Sequence, residues 1–118
     1  MEYLLLIYGN EADVTKMSTA ERDTMYQEYM RLTQNIKETG SYRAGHQLQP
    51  VGTATTVRMR DNKRLVTDGP FAETREQLGG FYLIEAKDLD EALAIAERIP
   101  SARWGSIEVR PIVSRNSA

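Results

Sequence analysis

Two side chains in this sequence have the chemistry needed for proton transfer near neutral pH. His46 is the sole histidine among 118 residues, and an imidazole changes charge in this pH range. Asp68 begins the stretch DGPFAETREQLGG, residues 68–80, and an aspartate can act as a base or orient an imidazole. His46 and Asp68 are therefore the candidate catalytic residues, although nothing in the local sequence brings them together.

His46 also has a structural interpretation. It shares one face of a predicted strand with Tyr42, Ala44 and Leu48, and a single histidine among such neighbours is commonly a hydrogen-bonded core residue. If the same face lines a cavity, His46 is instead the natural proton carrier. The sequence leaves both interpretations open.

Asp68 likewise stands in a sequence that is typical of a turn. Asp68 can accept hydrogen bonds from nearby backbone N–H groups, Gly69 can take unusual backbone angles, and Pro70 fixes φ at about −65°. A rigid turn of this kind would deliver Phe71 into the core. In the functional interpretation, Asp68 is a base or a ligand anchor at the rim of a cleft.

Four more residues are candidates for contact with a ligand: Phe71, Glu73, Tyr82 and Arg58. Thr74 and Gln77 form a capping pattern, which predicts a helical turn over 74–78 within an ordered flap. Long loops in compact domains are often functional, and we expect the flap to wall a cavity or to contact a second subunit. Tyr82 lies on the strand after the flap, either in the core or as cavity lining.

Arg58 belongs to a basic patch that also contains Arg60 and Arg64 on a predicted hairpin. The patch is a solvated face, a partner for acidic residues of another subunit, or a site for an anionic ligand. Nucleic acid is not an expected partner, because no aromatic residues stand among these arginines and the net charge of the chain is −2.

The composition excludes several kinds of site. The chain has no cysteine and only one histidine, which rules out disulfides, thiolate chemistry and a typical zinc site. It contains no nucleotide-binding glycine motif, P-loop or nucleophile elbow, so we expect neither a cofactor nor a metal. The apolar run in MEYLLLIY is too short to span a membrane and lacks signal-peptide features. We therefore expect a cytoplasmic protein with no membrane partner.

Hydrophobic spacing and capping residues predict the elements that position these side chains. One helix begins at Ser18, where Glu21 completes a capping box, and ends at Gly40. A second helix begins at Asp88 and ends before Pro100. The predicted strands are residues 2–8, 42–49, 53–60, 64–67, 80–86 and 106–112.

The same spacing predicts which helix residues are buried. The first helix is expected to bury Met25, Tyr29, Leu32 and Ile36. The second is expected to bury Leu89, Ala92, Leu93, Ala96 and Ile99. Residues 9–16 are predicted to form a loop, residues 1–113 a single domain, and residues 114–118 a frayed tail.

The element order β-α-β, hairpin, β-α-β predicts an α+β fold: a ferredoxin-like βαβ-βαβ sandwich with an inserted β-hairpin. In this topology the strands at 2–8 and 80–86 are central, and both are apolar on two faces. Two helices can cover only one face of the sheet, so the other face would be an exposed apolar patch. We therefore expect a homodimer that buries this sheet face against a second copy, as a dimeric α+β barrel.

Four stretches carry a resemblance to a known family: LLLIYGNE at 4–11, LQPVGTATTVRMRD at 48–61, LVTDGPFAETREQLGGFYLIEAKDLDEALAIAERIP at 65–100 and GSIEVRPI at 105–112. The chain resembles the YciI-like family, in its DGPF-domain branch. The resemblance implies a ferredoxin-like fold, a dimeric α+β barrel and a bacterial gene beside an alternative sigma factor. Shorter relatives carry a histidine near the start of the first helix, proposed to pair with an aspartate as an active site. The first helix of this chain has no histidine.

Two functions are consistent with these features, and the sequence does not decide whether the protein is an enzyme. One is a cofactor-free lyase or isomerase that acts on an aromatic or oxygenated small molecule, with His46 and Asp68 in a cavity at the dimer sheet face. The alternative is a non-catalytic ligand-binding or regulatory dimer associated with an alternative sigma factor system.

Overall fold

The structure, a computed structural model, describes residues 1–115. Its α-helices and strands are β1 Glu2–Gly9, α1 Glu11–Thr15, α2 Thr19–Glu38, β2 Tyr42–Gln47, β3 Thr55–Arg60, β4 Lys63–Asp68, β5 Gln77–Glu85, α3 Leu89–Ala96 and β6 Ser106–Pro111. Short 3-10 turns occupy Val51–Thr53 and Pro100–Arg103. The predicted α+β class is confirmed. Residues 116–118 of the predicted frayed tail lie outside the described residues.

Four strands form an antiparallel sheet in the order β2-β5-β1-β6. The two central strands are β1 and β5, which confirms the prediction made from their apolar faces. Leu4 lies opposite Leu83, and Leu5 lies between Tyr82 and Val109. Since side chains alternate along a strand, this register puts Leu4 and Leu83 on one face and Leu5 and Tyr82 on the other.

Helices α2 and α3 cover only one face of this sheet. The buried core consists of strand and helix residues on that side: Tyr3, Leu5, Leu32, Ile36, Tyr82, Ile84, Ala86, Ala92, Ile95, Ala96 and Ile99. The opposite face, here called the open face, carries Leu4, Leu6, Ala44, His46, Phe81 and Leu83, which are exposed or only half-buried. The helices thus bury the apolar side chains on only one face of each central strand.

The ends of both long helices are fixed by the residues that the sequence indicates. The Ser18 hydroxyl accepts a hydrogen bond from the Glu21 N–H at 3.1 Å, and the Glu21 carboxylate accepts one from the Ser18 N–H at 3.0 Å. The hydrogen bond from the Ser18 N–H to the Glu21 carboxylate is the main cause that lowers the pKa of Glu21, and the nearby Ser18 side chain adds to it. Asp88 caps α3 by accepting from the Glu91 N–H at 2.9 Å. Gly40, with φ of 81°, ends α2 in the left-handed region.

The buried stripe of α3 differs from the predicted one. Leu89 and Leu93 are 49% and 46% exposed, whereas Ile95 is buried. The helix turns its alanines, Ala92 and Ala96, toward the sheet. Small side chains let a helix lie close to a sheet, and the longer leucines then fall at the margin of the contact. In α2 the predicted Leu32 and Ile36 are buried as expected, whereas Met25 and Tyr29 are only half-buried.

The prediction of a loop over residues 9–16 is wrong, because Asn10 caps the short helix α1. Its side chain accepts a hydrogen bond from the Ala12 N–H at 2.9 Å. The next residue joins two distant segments: the Glu11 N–H donates to Gln77 Oε1 at 2.9 Å, and its carboxylate accepts from the Val51 N–H at 3.0 Å. Helix α1 is therefore hydrogen-bonded both to the segment that follows β2 and to the start of β5.

A β-bulge in β2 changes which side chains share a face. The register shifts between Tyr42 and Ala44, so that Tyr42 pairs with Ile84 and Gly45 with Tyr82. Tyr42 consequently packs against the core, while Ala44 and His46 point to the open face. The prediction that these three residues share a face is wrong, because the extra residue of a bulge reverses the alternation.

Strands β3 and β4 form a separate two-stranded sheet, here called the arm (residues 55–68). Asp61 and Asn62 join the strands with φ of 52° and 62°, the backbone of a two-residue hairpin turn. The radius of gyration of the molecule is 16.5 Å, against about 13.5 Å for a compact domain of this length. The molecule measures 50 × 47 × 18 Å, so it is a thin plate of one sheet and one helix layer with a projecting arm.

The flap, predicted within residues 68–80, spans residues 69–76 between β4 and β5. It contains no helical turn, so the prediction of one over 74–78 is wrong. Strand β5 already begins at Gln77, and the Gln77 amide donates to the Thr74 carbonyl oxygen at 2.6 Å. Phe71 is 77% exposed, so the prediction that the turn delivers it into the core is also wrong. The space beneath the sheet is already filled by α2 and α3, and the flap follows the arm outside the main sheet.

Two glycines provide a matched test of the packing at the sheet edge. A Cβ at Gly105 would lie 2.1 Å from the Tyr8 carbonyl oxygen, whereas a Cβ at Gly52 would have no atom within 4 Å. We expect Gly105→Ala to cost about 2 kcal/mol or more of unfolding free energy, since backbone must shift. Gly52→Ala should change it by less than about 0.5 kcal/mol. Urea unfolding checks both values, and equal effects would contradict the close approach of Gly105 to β1.

Phe71 and Ile84 provide a second test. Truncating the exposed Phe71 to alanine should change the unfolding free energy by less than about 0.5 kcal/mol. Ile84 is fully buried, and Ile84→Ala should cost about 2–5 kcal/mol. Thermal and urea melts of the two variants are sufficient. A loss for Phe71→Ala as large as that for Ile84→Ala would show that Phe71 is buried in solution.

Candidate functional site

His46 lies on the open face near the end of β2, where the main sheet meets the arm. Its ring is 5.8 Å from that of Phe81 on β5, at an interplanar angle of 57°. The side chain is exposed and forms no hydrogen bond with any other described residue. The interpretation as a hydrogen-bonded core histidine is therefore wrong. An exposed imidazole beside an aromatic ring is accessible to a ligand.

Asp68 is the last residue of β4 and pairs with Thr55 at the base of the arm. Backbone groups close this base: the Gly69 N–H donates to the Ala54 carbonyl oxygen at 2.7 Å, and the Thr56 hydroxyl donates to the Gly69 carbonyl oxygen at 2.9 Å. Gly69 has φ of 98°, a conformation that favours glycine. The Asp68 carboxylate is exposed and, within residues 1–115, contacts neither these groups nor His46.

Three more candidates, Phe71, Glu73 and Arg58, lie on exposed surface outside the main sheet. Phe71 and Glu73 are in the flap, and Arg58 is on the arm opposite Leu65. Arg64 pairs with Met59, which places it on the other face of the arm. The predicted basic patch is thus divided between two faces, since an arginine and its strand neighbour point in opposite directions.

Tyr82 is a core residue and does not line the open face. It is 6% exposed, and its hydroxyl shares a hydrogen bond of 2.7 Å with the Thr33 hydroxyl on α2. Burial raises the pKa of the Tyr82 hydroxyl, and the bond to Thr33 offsets part of that effect. Tyr82 therefore ties α2 to the centre of the sheet.

The open face is apolar at its centre and charged at its margins. Leu6 lies opposite Glu108 on β6, which forms an ion pair with Arg110 on the same face. At the end where β1 begins and β5 ends, Glu2 lies opposite Glu85. The Met1 ammonium group is 3.1 Å from the Glu85 carboxylate. His46 lies at the other end of the face, next to the arm.

Two shallow, open hollows lie elsewhere, on the helix side. One, of about 500 Å³, lies between α2 and Arg98. The other, of about 300 Å³, lies beside Trp104 and is bordered by Glu28 and Arg103, whose side chains form a double ion pair at 2.8 and 2.9 Å. Neither hollow contains any of the six candidate residues. The sequence gives no signal for the Glu28–Arg103 pair, because periodicity cannot match residues on distant elements.

Within residues 1–115, no group of three or more histidine, aspartate or glutamate side chains lies close enough to hold a metal ion. No helix in the described part of the chain is both long enough and apolar enough to cross a membrane.

The chain matches a known protein family over nearly its whole length. The YCII-related domain matches residues 1–116. An uncharacterised protein of Rhizobium meliloti (strain 1021) is 38% identical over 114 residues, covering 95% of this chain and 92% of the relative. The family match extends over both central strands, the arm and the flap. The chain therefore belongs to the family of proteins with a YCII-related domain.

Proposed function

We propose that this protein is a cytoplasmic homodimer of the DGPF branch of its family, and that it holds a small organic molecule between the open sheet faces of its two copies. The main support is the open face itself, on which Leu4, Leu6, Phe81 and Leu83 have no cover from the helices. Exposed apolar patches of this kind mark interfaces in soluble proteins. His46, at one end of the same face, is then the proton carrier beside the ligand.

A second sheet is the cover that fits this face best. The strand order and antiparallel pairing, with the first and third strands of the main sheet at its centre, support the ferredoxin-like arrangement that the proposal assumes. Sheets pack face to face at a separation of about 10 Å. The space between two sheets at this separation is filled by the side chains of both. Where these side chains are short, as at Ala44, the space is left for a ligand.

The chemistry proposed for this layer is acid–base catalysis on an aromatic or oxygenated compound. The Phe81 ring, 5.8 Å from His46, offers a surface for an aromatic ligand. The imidazole has no hydrogen-bond partner among the described residues, so it is free to bond a ligand oxygen. Asp68 serves as the second proton-transfer group only if a ligand or a second copy brings it close to His46.

A non-catalytic ligand-binding or regulatory dimer, linked to an alternative sigma factor system, is the second candidate. The separation of His46 from Asp68 favours it, because a lone imidazole can bind a ligand without an orienting carboxylate. The two candidates differ in the response to His46→Gln, which removes proton transfer but keeps a hydrogen-bonding side chain. A binding protein would retain ligand affinity within about tenfold, the scale of one net hydrogen bond, whereas an enzyme would lose turnover.

Two leucine-to-glutamate changes test the dimer. Leu83→Glu places a carboxylate at the centre of the open face, and burying an unpaired charge costs several kcal/mol. We expect the dimer Kd to rise by about a hundredfold or more, at about 1.4 kcal/mol per tenfold. Leu93→Glu is the matched control, since Leu93 lies on the exposed side of α3.

Light scattering over a dilution series gives both dissociation constants. The parent and Leu93→Glu should have twice the 13.4 kDa mass of one chain, and Leu83→Glu should have that of a monomer. A monomeric parent protein, or equal behaviour of the two variants, would contradict the proposed interface.

The single imidazole provides a direct probe of ligand binding. His46 gives one Hε1 signal in a proton NMR spectrum, because the chain has no other histidine. Millimolar benzoate or catechol should shift this signal in the parent protein and leave it unchanged in Leu83→Glu, which lacks the layer between the copies. An equal shift in both proteins would indicate binding to a single chain and would refute the shared site.

A further inference from the structure

The arm exposes apolar residues that a two-stranded sheet cannot bury by itself. Val57 and Val66 lie directly opposite each other, with Met59 beside them on the same face. Val57 and Met59 are 61% and 59% exposed. An isolated two-stranded hairpin is only marginally stable in water. This face of the arm therefore requires a surface to pack against, and no other described residue of the same chain supplies one.

The arm is also basic, while the far end of the molecule is acidic. Between Thr55 and Asp68 stand four cations, Arg58, Arg60, Lys63 and Arg64, against two carboxylates, Asp61 and Asp68. Arg64 and Asp68 share the face of Val57, whereas the other three cations lie on the opposite face, so most of the positive charge of the arm lies behind its apolar face. The arm leaves the main sheet where β1 ends and β5 begins.

At the opposite end of the sheet, six carboxylates outnumber four cations: Glu2, Glu38, Glu85, Asp88, Asp90 and Glu91 against the Met1 ammonium group, Lys37, Arg43 and Lys87. Two exposed apolar side chains, Met1 and Ile112, lie among these carboxylates. This end is here called the acidic end. It offers apolar side chains for the arm to pack against and negative charge that complements the positive charge of the arm.

We propose that the arm of each copy packs on the acidic end of the second copy, an inference that rests on the homodimer proposed above. A two-fold dimer through the open face has its axis in the plane between the sheets. With the axis along the strands, arm would lie beside arm and acidic end beside acidic end. With the axis across the strands, each arm meets the acidic end of the other copy. Charge complementarity selects the second arrangement, because like charges placed together oppose association.

In this arrangement Val57, Met59 and Val66 pack against Met1 and Ile112 of the second copy. Arg64, on the same face of the arm, lies near Glu2 of that copy. The dimer then has two identical arm contacts outside the sheet layer, and these contacts fix the direction in which one sheet lies on the other. The proposed ligand site is thereby closed at both ends by the arms.

Chemical cross-linking tests the arrangement, since the chain has no cysteine of its own. Arg64→Cys and Glu2→Cys each introduce one thiol at an exposed position. The two variant proteins are mixed, allowed to exchange subunits, and treated with a short bis-maleimide reagent. We expect the mixture to yield several-fold more covalent dimer than either variant alone. Mixing separate variants ensures that the cross-link joins two chains.

Gln27→Cys, at an exposed position in the middle of α2, is the matched control and should give no covalent dimer with Arg64→Cys. Covalent dimer from Arg64→Cys alone would place arm beside arm, and from Glu2→Cys alone would place acidic end beside acidic end. Either result overturns the proposal. If light scattering shows a dimer but the mixture gives no cross-link, the arm inference fails and the sheet-face dimer stands. If the parent protein is a monomer, both fail.

Discussion

The structure depends on two central strands that are apolar on both of their faces. The helices α2 and α3 contact only the side chains that point to one face, including Leu5 and Ile84. Moving either strand to an edge would expose its core-facing residues. The strand order therefore follows from the apolar residues on both faces of these two strands. The apolar side chains on the other face, Leu4 and Leu83 among them, are then an obligatory product of that order. The interface proposed above would bury these side chains.

Much of this fold can be predicted from residue spacing. The helix caps at Ser18 and Asp88 and the hairpin turn at residues 61–62 depend on contacts between residues close in sequence. The central strands pair with distant segments, but the apolar residues on both of their faces already indicate their position in the sheet. The stripe of α3 was harder to predict, because leucine and alanine are both apolar and only the depth of packing separates Leu93 from Ala96. The flap was also beyond local rules, since Gln77 forms hydrogen bonds both to Thr74 and to a residue of α1.

At the candidate site, one β-bulge changes the face of the sheet on which the imidazole lies. Without the bulge after Tyr42, strict alternation would put Ala44 and His46 on the same face as Tyr42, which is the core side. The bulge sends Tyr42 to the core and leaves His46 accessible. No residue type at this position signals a bulge, so the exposure of the imidazole could not be predicted. Residue types alone make His46 and Asp68 candidates for proton transfer. Strand pairing then places His46 in the main sheet and Asp68 in the arm, where they do not contact each other.

The central position of β1 also has a consequence for how the protein is made. This strand leaves the ribosome before the other strands of the sheet, and both of its partners, β5 and β6, come much later in the chain: Leu4 pairs with Leu83 and with Arg110. At a synthesis rate of about 5–20 residues per second, the apolar stretch LLLIY waits for several seconds or more without a partner strand. Contacts so distant in sequence also slow folding after release. The nascent chain therefore presents an aggregation-prone segment during synthesis, which is the condition under which a cell's chaperones act.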